Sequence, residues 1–178
     1  MSDEFVAFPK IARLSRQVIV TEKIDGTNAC IAIDEQGQIR AGSRSQWLTV
    51  EHDNYGFAVW VAANHNALLE LGVGTHHGEW FGHRIGKRQY GLNERRFALF
   101  NTSRWNAENR PACCEVVPVL YDGVFDTAKI DAFLEDLRLN GSRMVAGFMQ
   151  PEGVIIYHTA ANIFFKKTMP NDGAKGKT

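Results

Sequence analysis

Cysteine is scarce in this chain, with 3 in 178 residues, and two of the three are the neighbours Cys113 and Cys114. An odd count with an adjacent pair excludes a disulfide-stapled scaffold, because adjacent cysteines seldom meet the geometry of a bridge. They are read as reduced, buried thiols. The six histidines include no pair spaced with cysteine in the manner of a structural zinc site. No apolar run approaches the roughly 18 residues a membrane span needs, and MSDEFVAFPK lacks the apolar core of a signal peptide. These absences predict a cytoplasmic protein with no membrane partner. Excess charge is also missing: 20 basic and 20 acidic residues cancel. A global positive field toward nucleic acid is thereby excluded, and any such surface must be local.

What remains is enough for one sizeable core, since 44% of the residues are hydrophobic. The apolar run through Val18, Ile19 and Val20 predicts a strand, Asp25-Gly26 a tight turn, and ACIAI and IRAGSRS the strands of a small antiparallel sheet joined through DEQGQ. From Asn54 to Leu71, helical spacing of Phe57, Trp60, Val61, Leu68 and Leu69 predicts one long amphipathic helix, capped by Asp53 or Asn54 and stopped by Gly72. A second helix is expected from Thr127 to Leu139. Asp126 or Thr127 would cap it, Ile130, Phe133, Leu134 and Leu137 would point inward, and Gly141 would end it. HHGEWFG, RFALFN, CCEVVPVLY, GVIIYH and NIFFKK read as further strands. Strands grouped around two helices give an α+β class in one domain, without repeats or a low-complexity linker. Only PNDGAKGKT, from about residue 170, reads as a flexible basic tail.

One short stretch, TEKIDGTN at 21 to 28, places Lys23 on a rigid corner between a strand and a turn, with Asp25 two residues away. Such a lysine is either a solvated rim residue or a held nucleophile. KxDG alone decides little. Further polar residues recur in strand contexts, however: SRS at 43 to 45, GEWFG at 78 to 82, FALFN at 97 to 101, PEGVIIYH at 151 to 158 and FFKKT at 164 to 168. In this order they resemble the covalent nucleotidyltransferase superfamily, and EKIDGTN, GEWFG and PEGVIIYH are most similar to its ATP-dependent RNA ligases. The resemblance spans residues 8 to 175 and implies a nucleotidyltransferase (adenylation) fold, with antiparallel sheets and flanking helices around an ATP cleft.

The resemblance also implies roles. Lys23 would attack the α-phosphorus of ATP, which requires its unprotonated form and so a large fall from a free-lysine pKa of about 10.4. Lys166 would neutralise the α-phosphate and help lower the charge on Lys23, with Lys167 as second choice. Asp25, Glu79 and Glu152 come from the first, third and fourth motifs. Glu79 and Glu152 are the expected ligands of a hard divalent cation, magnesium or alternatively manganese, in part through water. The placement of the acids in DG, GE and EG, with Gly26 among the glycines, implies close approach of backbone to ligand. Asn28 and Arg44 would line the pocket. Phe97 and Phe100, three apart on a strand, should face opposite ways, and alignment selects Phe100 to stack on adenine. Glu22 would help place the adenine through backbone or side chain. The run GHRIGKRQYGLNERR carries five basic residues against one acid, and Arg84, Lys87 and Arg88 are read as contacts to a 5′-phosphate end or RNA backbone.

Two departures from the family pattern limit the transfer of roles. Asn101 stands where the family has an acid, and Tyr157 where related RNA ligases often have a lysine. The expectation is a single nucleotidyltransferase domain over 1 to 178 with no OB or other C-terminal domain, acting on RNA with 5′-phosphate and 3′-hydroxyl ends. Such a module would either bind a nick weakly or borrow its RNA contacts from a protein partner that supplies the missing RNA-binding domain. Nucleotide transfer to another acceptor, a DNA end or a cap, and a noncatalytic nucleotide- or RNA-binding module are the alternatives.

Overall fold

A computed structural model describes residues 5–170. The tail expected from about 170 therefore falls almost wholly outside the described residues. Strands and helices assemble into an α+β architecture of two sheets. No described helix is long and apolar enough to cross a membrane.

The first sheet holds four antiparallel strands: β1 (Gln17–Lys23), β8 (Val119–Val124), β9 (Gly153–His158) and β10 (Ile163–Thr168), in the order β10-β9-β1-β8. The second holds six: β2 (Gly26–Ile33), β3 (Ile39–Ser43), β4 (Trp47–Leu48), β5 (Gly74–Gly82), β6 (Arg95–Leu99) and β7 (Cys114–Val116), in the order β4-β3-β2-β5-β6-β7. All of its pairings are antiparallel except β6 with β7. Only Ile24 and Asp25 separate β1 from β2, so the corner at Lys23 is where the chain leaves one sheet for the other.

Each sheet buries one face under a helix. In β1, Val18 and Val20 are fully buried with Val154 and Ile156 of β9 against Ile130, Leu134 and Leu137 of α3 (Thr127–Asn140). α3 begins as predicted, Asp126 Oδ1 accepting from the free amides of Ala128 and Lys129. Gly141, at φ 80°, ends it. Phe133 lies at the margin of the buried stripe and stacks on Tyr121, 5.6 Å between centroids. In the second sheet, Ala29, Ile31, Ile33, Trp80, Phe97 and Leu99 form one apolar layer with Phe57, Ala58 and Val61 of α1 (Phe57–Ala63).

The single long helix expected over 54 to 71 is divided. α1 ends at Asn64, whose side-chain amide donates to the Trp60 carbonyl at 2.8 Å and competes with continuation of the helix. α2 (His65–Leu68) and a 3₁₀ turn (Leu69–Leu71) complete the segment up to Gly72. The start also shifts, to a left-handed Gly56, but Asp53 still caps by accepting from the Ala58 and Val59 amides. The run CCEVVPVLY is likewise two strands in different sheets. Pro118, which has no amide to donate, separates β7 from β8, while its carbonyl accepts from the Glu22 amide at 3.0 Å. Cys30 and Cys114 are buried and Cys113 half-buried, all three as free thiols.

Candidate active site

The faces that the two sheets turn away from α3 and α1 meet around Lys23, and on the second sheet part of that face, Phe81 and Ala98, is packed under Tyr90 and Val117. Strand alternation sends Val18, Val20 and Glu22 toward α3, and Ile19, Thr21 and Lys23 to the open face. In antiparallel pairs directly opposed residues share a face. Lys23 lies opposite Gly153, Thr21 opposite Ile155 and Ile19 opposite Tyr157. One strand further, Thr168, Lys166 and Phe164 lie opposite the same three residues of β9. Lys166 is thus on the face that carries Lys23, one row away along the strands, and it has no hydrogen bond or ion pair among the described residues.

Lys167, next in sequence, must point the other way. It pairs with Asp131 of α3 on the helix-covered face. The expectation that Lys167 binds nucleotide is corrected by this alternation.

Lys23 Nζ is 2.6 Å from Glu152 Oε2, a half-buried ion pair. Glu152 immediately precedes β9, and the Lys23–Gly153 register brings the carboxylate to the amine. Glu79, on β5, lies opposite Asn28 on β2 and accepts from Asn28 Nδ2 at 2.8 Å. Burial raises the Glu79 pKa to about 7, against the lowering effects of Asn28 and the Lys23 charge, with Glu152 adding to the rise. The Lys23 amine and two carboxylates thus share one electrostatic site. Among the described residues no group of three or more acidic, histidine or cysteine side chains could enclose a metal ion. Two hard carboxylates fit a divalent cation only if water or substrate phosphate completes its shell, the usual manner of magnesium.

Asp25 is engaged elsewhere. Its Oδ2 accepts from the Lys87 and Arg88 amides, both at 2.9 Å, and from the Arg88 guanidinium at 3.3 Å. Arg88 Nε also donates to the Gln150 carbonyl at 2.7 Å. The motif's aspartate therefore fastens the basic loop 83–94 beside the site, and Arg88 is part of that fastening. Lys87 lies exposed beside it, on a cavity of about 370 Å³ that Arg88, Arg138, Gln150 and Pro151 also line. Arg84 is exposed as well, at φ 58°. Lys23 and Lys166 themselves lie on open sheet rather than in that cavity.

The Glu22 side chain also has a structural post. It is 1% exposed, on the helix side of β1, and accepts from Ser142 Oγ at 2.6 Å and from the Arg143 and Met144 amides at 2.7 and 2.9 Å. Burial raises its pKa despite these donors. A direct side-chain contact to adenine is therefore replaced by support of the 142–144 turn.

The glycines carry a related correction. A Cβ on Gly26 would stand 2.4 Å from the Trp80 carbonyl oxygen, one on Gly78 2.4 Å from that of Ala98, and one on Gly153 2.2 Å from that of Lys167. These positions need glycine because neighbouring strands fill the space. Ligand approach is not what their geometry records.

Phe97 is fully buried in the apolar layer under α1, whereas Phe100 is 40% exposed. The Phe100 amide donates to the His77 carbonyl, continuing β6 against β5 and placing Phe100 on the Glu79 side of the sheet. Arg44 is exposed in the bend just after β3, one residue beyond the Ser43–Ala29 pair.

Tyr90 escaped the sequence reading. Its hydroxyl accepts from the Asp25 amide at 2.8 Å and its ring packs on Phe81 and Phe148. Burial raises its pKa. At φ 51°, within a loop with no apolar periodicity, it left no pattern to detect. Tyr157 and Phe164 form a second unforeseen feature, stacked on the open face.

Comparison with known proteins adds to this geometry. A family model described as RNA ligase matches residues 16–169. No curated protein matches. Among solved structures, a ligand-free lysine-to-alanine variant of the Naegleria gruberi RNA ligase is similar at TM-score 0.58 and 17% identity, over 86% of this chain and 50% of that one. A lysine-to-methionine variant with AMP and Mn gives 0.59 and 16%, over 87% and 50%. The same ligase with PPi gives 0.57 and 18%, over 86% and 50%. The chain thus spans about half the length of these solved relatives, and at such identities the likeness shows a shared fold.

Proposed function

The chain belongs to the RNA ligase family, and from that premise we propose that it is an ATP-dependent RNA ligase-like enzyme whose Lys23 carries AMP. Lys23 Nζ attacks the α-phosphorus of ATP, a nitrogen–phosphorus bond forms, pyrophosphate leaves and the amine gives up its proton. The AMP then passes to the 5′-phosphate of an RNA, and a 3′-hydroxyl displaces it as the phosphodiester forms. Supporting this reading above all is the half-buried Lys23, held by Glu152 on the sheet face it shares with Lys166 and beside Glu79. The solved ligase complexes with AMP and Mn also favour it.

The chain's own residues divide the work. Glu152 fixes the position of the Lys23 amine, and the open Lys166 ammonium faces the negative charge of the α-phosphate. Glu79 and Glu152 are the oxygen donors that would hold a divalent cation, with Asn28 orienting Glu79. Bound there, magnesium or manganese would neutralise phosphate charge. Phe100 offers a ring to adenine, the exposed Arg44 a guanidinium to phosphate or ribose, and Asp25 with Gly26 sets the corner and the basic loop rather than the chemistry.

Incubation with ATP labelled at the α-phosphate and magnesium tests the reading. Covalent label that releases pyrophosphate and vanishes in Lys23→Ala is the expected result. ATP binding without pyrophosphate release would instead assign a noncatalytic module, and label passed to DNA or a cap but not to RNA would assign another acceptor. RNA is the expected acceptor, in sealing assays on matched nicked and single-stranded 5′-phosphorylated substrates.

A further inference from the structure

Among the described residues β10 is an edge strand, and Ile163 to Lys167 on it are exposed. On its open face stands Phe164, 66% exposed, stacked on Tyr157 of β9 with ring centroids 4.6 Å apart and planes 26° from parallel. Tyr157 is held: its hydroxyl donates to Asn162 Oδ1 at 2.9 Å, and Asn162 sits at φ 52° in the turn joining the two strands. The inner ring is thus fixed while the outer face of Phe164 lies free. Two residues along the same strand and face, a rise of about 6.8 Å, comes Lys166. One row beyond Lys166 on that face comes Lys23. No carboxylate stands on β9 or β10 beside Tyr157, Phe164 or Lys166 on this face.

We propose that the Tyr157–Phe164 stack is the platform for the nucleobase at the 5′-phosphorylated end of an RNA strand, with the terminal phosphate directed along β10 to Lys166. A base laid on Phe164 extends an existing two-ring stack, and because every base has a π face the contact reads no sequence. The Lys166 ammonium one row away, unpaired among the described residues, supplies the charge a phosphate needs. This orientation leads the terminal phosphate toward Lys23, where AMP must be handed over. The inference rests on the ligase reading for its occupant, and it places the polynucleotide at the edge of the four-stranded sheet, whereas Phe100 follows a strand of the other sheet.

The full chain is tested by fluorescence anisotropy with a short, labelled, 5′-phosphorylated single-stranded RNA at about 50 mM salt, alongside covalent labelling by ATP. Phe164→Ala and Phe164→Leu are expected to weaken RNA binding about tenfold, equivalent to about 1.4 kcal/mol, while Phe164→Tyr binds as wild type. Labelling of Lys23 is expected to be unchanged in all three, since Phe164 touches no part of the Lys23–Glu152–Glu79 group. RNA binding that is absent in wild type, or equal in wild type, Ala and Leu variants, overturns the platform. So does a loss confined to the ATP step. If wild type takes no label from ATP yet the Ala and Leu variants lose RNA binding, the ligase reading falls and the platform stands.

Discussion

Replacing Glu79 by glutamine should make the fold more stable at alkaline pH and the site less competent. The side chain is 6% exposed, and its pKa is raised from 4.5 to about 7 chiefly by burial. In the unfolded chain the carboxyl ionises near its ordinary value, so between pH 4.5 and 7 the native state binds more protons than the unfolded one. The stabilisation from a raised folded pKa is fully present below about 4.5 and is lost as pH rises through 7. Integrating between pH 5 and pH 8 gives a loss of about 2.5 kcal/mol from this one group. Glutamine has nearly the same shape, keeps an oxygen to accept from Asn28 Nδ2, and does not titrate. Urea unfolding of wild type and Glu79→Gln at both pH values isolates the effect, because titrations of Glu22 and His76 are common to both proteins and cancel. The variant should gain about 2.5 kcal/mol on wild type between pH 5 and pH 8, or roughly 5–10 °C in midpoint for a chain of this size. ATP-dependent labelling of Lys23 should fall at the same time. Parallel pH profiles for the two proteins would refute the assignment of a buried, destabilising carboxylate at 79.

Three other outcomes follow from the geometry. Lys166→Ala should cut covalent labelling at least tenfold while Lys167→Ala leaves it unchanged, because alternation puts only the first on the Lys23 face; equal effects in a labelling assay would contradict the register. Tyr90→Phe removes the acceptor for the half-buried Asp25 amide and should cost about 1–3 kcal/mol in denaturant unfolding, with the basic loop exchanging its amides faster. Gly153→Ala would drive a Cβ against the Lys167 carbonyl oxygen. It should destabilise the fold by more than about 4 kcal/mol, measured by thermal unfolding, and its soluble fraction should label poorly.

Much of the architecture was legible in short-range pattern. Short apolar runs bounded by turn residues marked β1, β2 and β9, and Asp126 with Gly141 bracketed α3 because a side-chain carboxylate and a left-handed glycine solve helix-end problems locally. Where local preference competes with packing, pattern misled. Asn64 breaks the helix expected over 54 to 71 through one side-chain hydrogen bond, and Pro118 turns one apolar run into strands of two sheets. That Phe97 and Phe100 face opposite ways was readable from spacing, since three residues along a strand reverse the face, but which of the two enters the core was not.

The order of residues by itself determined which chemical groups could act: a lysine at a two-residue corner, glutamates flanked by glycine, and a pair of lysines ending a late apolar strand. Spacing along the chain carries that information because strand geometry is periodic. Which acid meets the amine was decided only by the tertiary structure. Asp25, two residues from Lys23, is drawn to the amides of the loop at 87 and 88, while Glu152, 129 residues away, makes the 2.6 Å contact. The same holds for Glu22, whose carboxylate supports a turn across the sheet. Such choices rest on sheet register and on the donors that distant loops present, and neither is encoded within a local window of sequence.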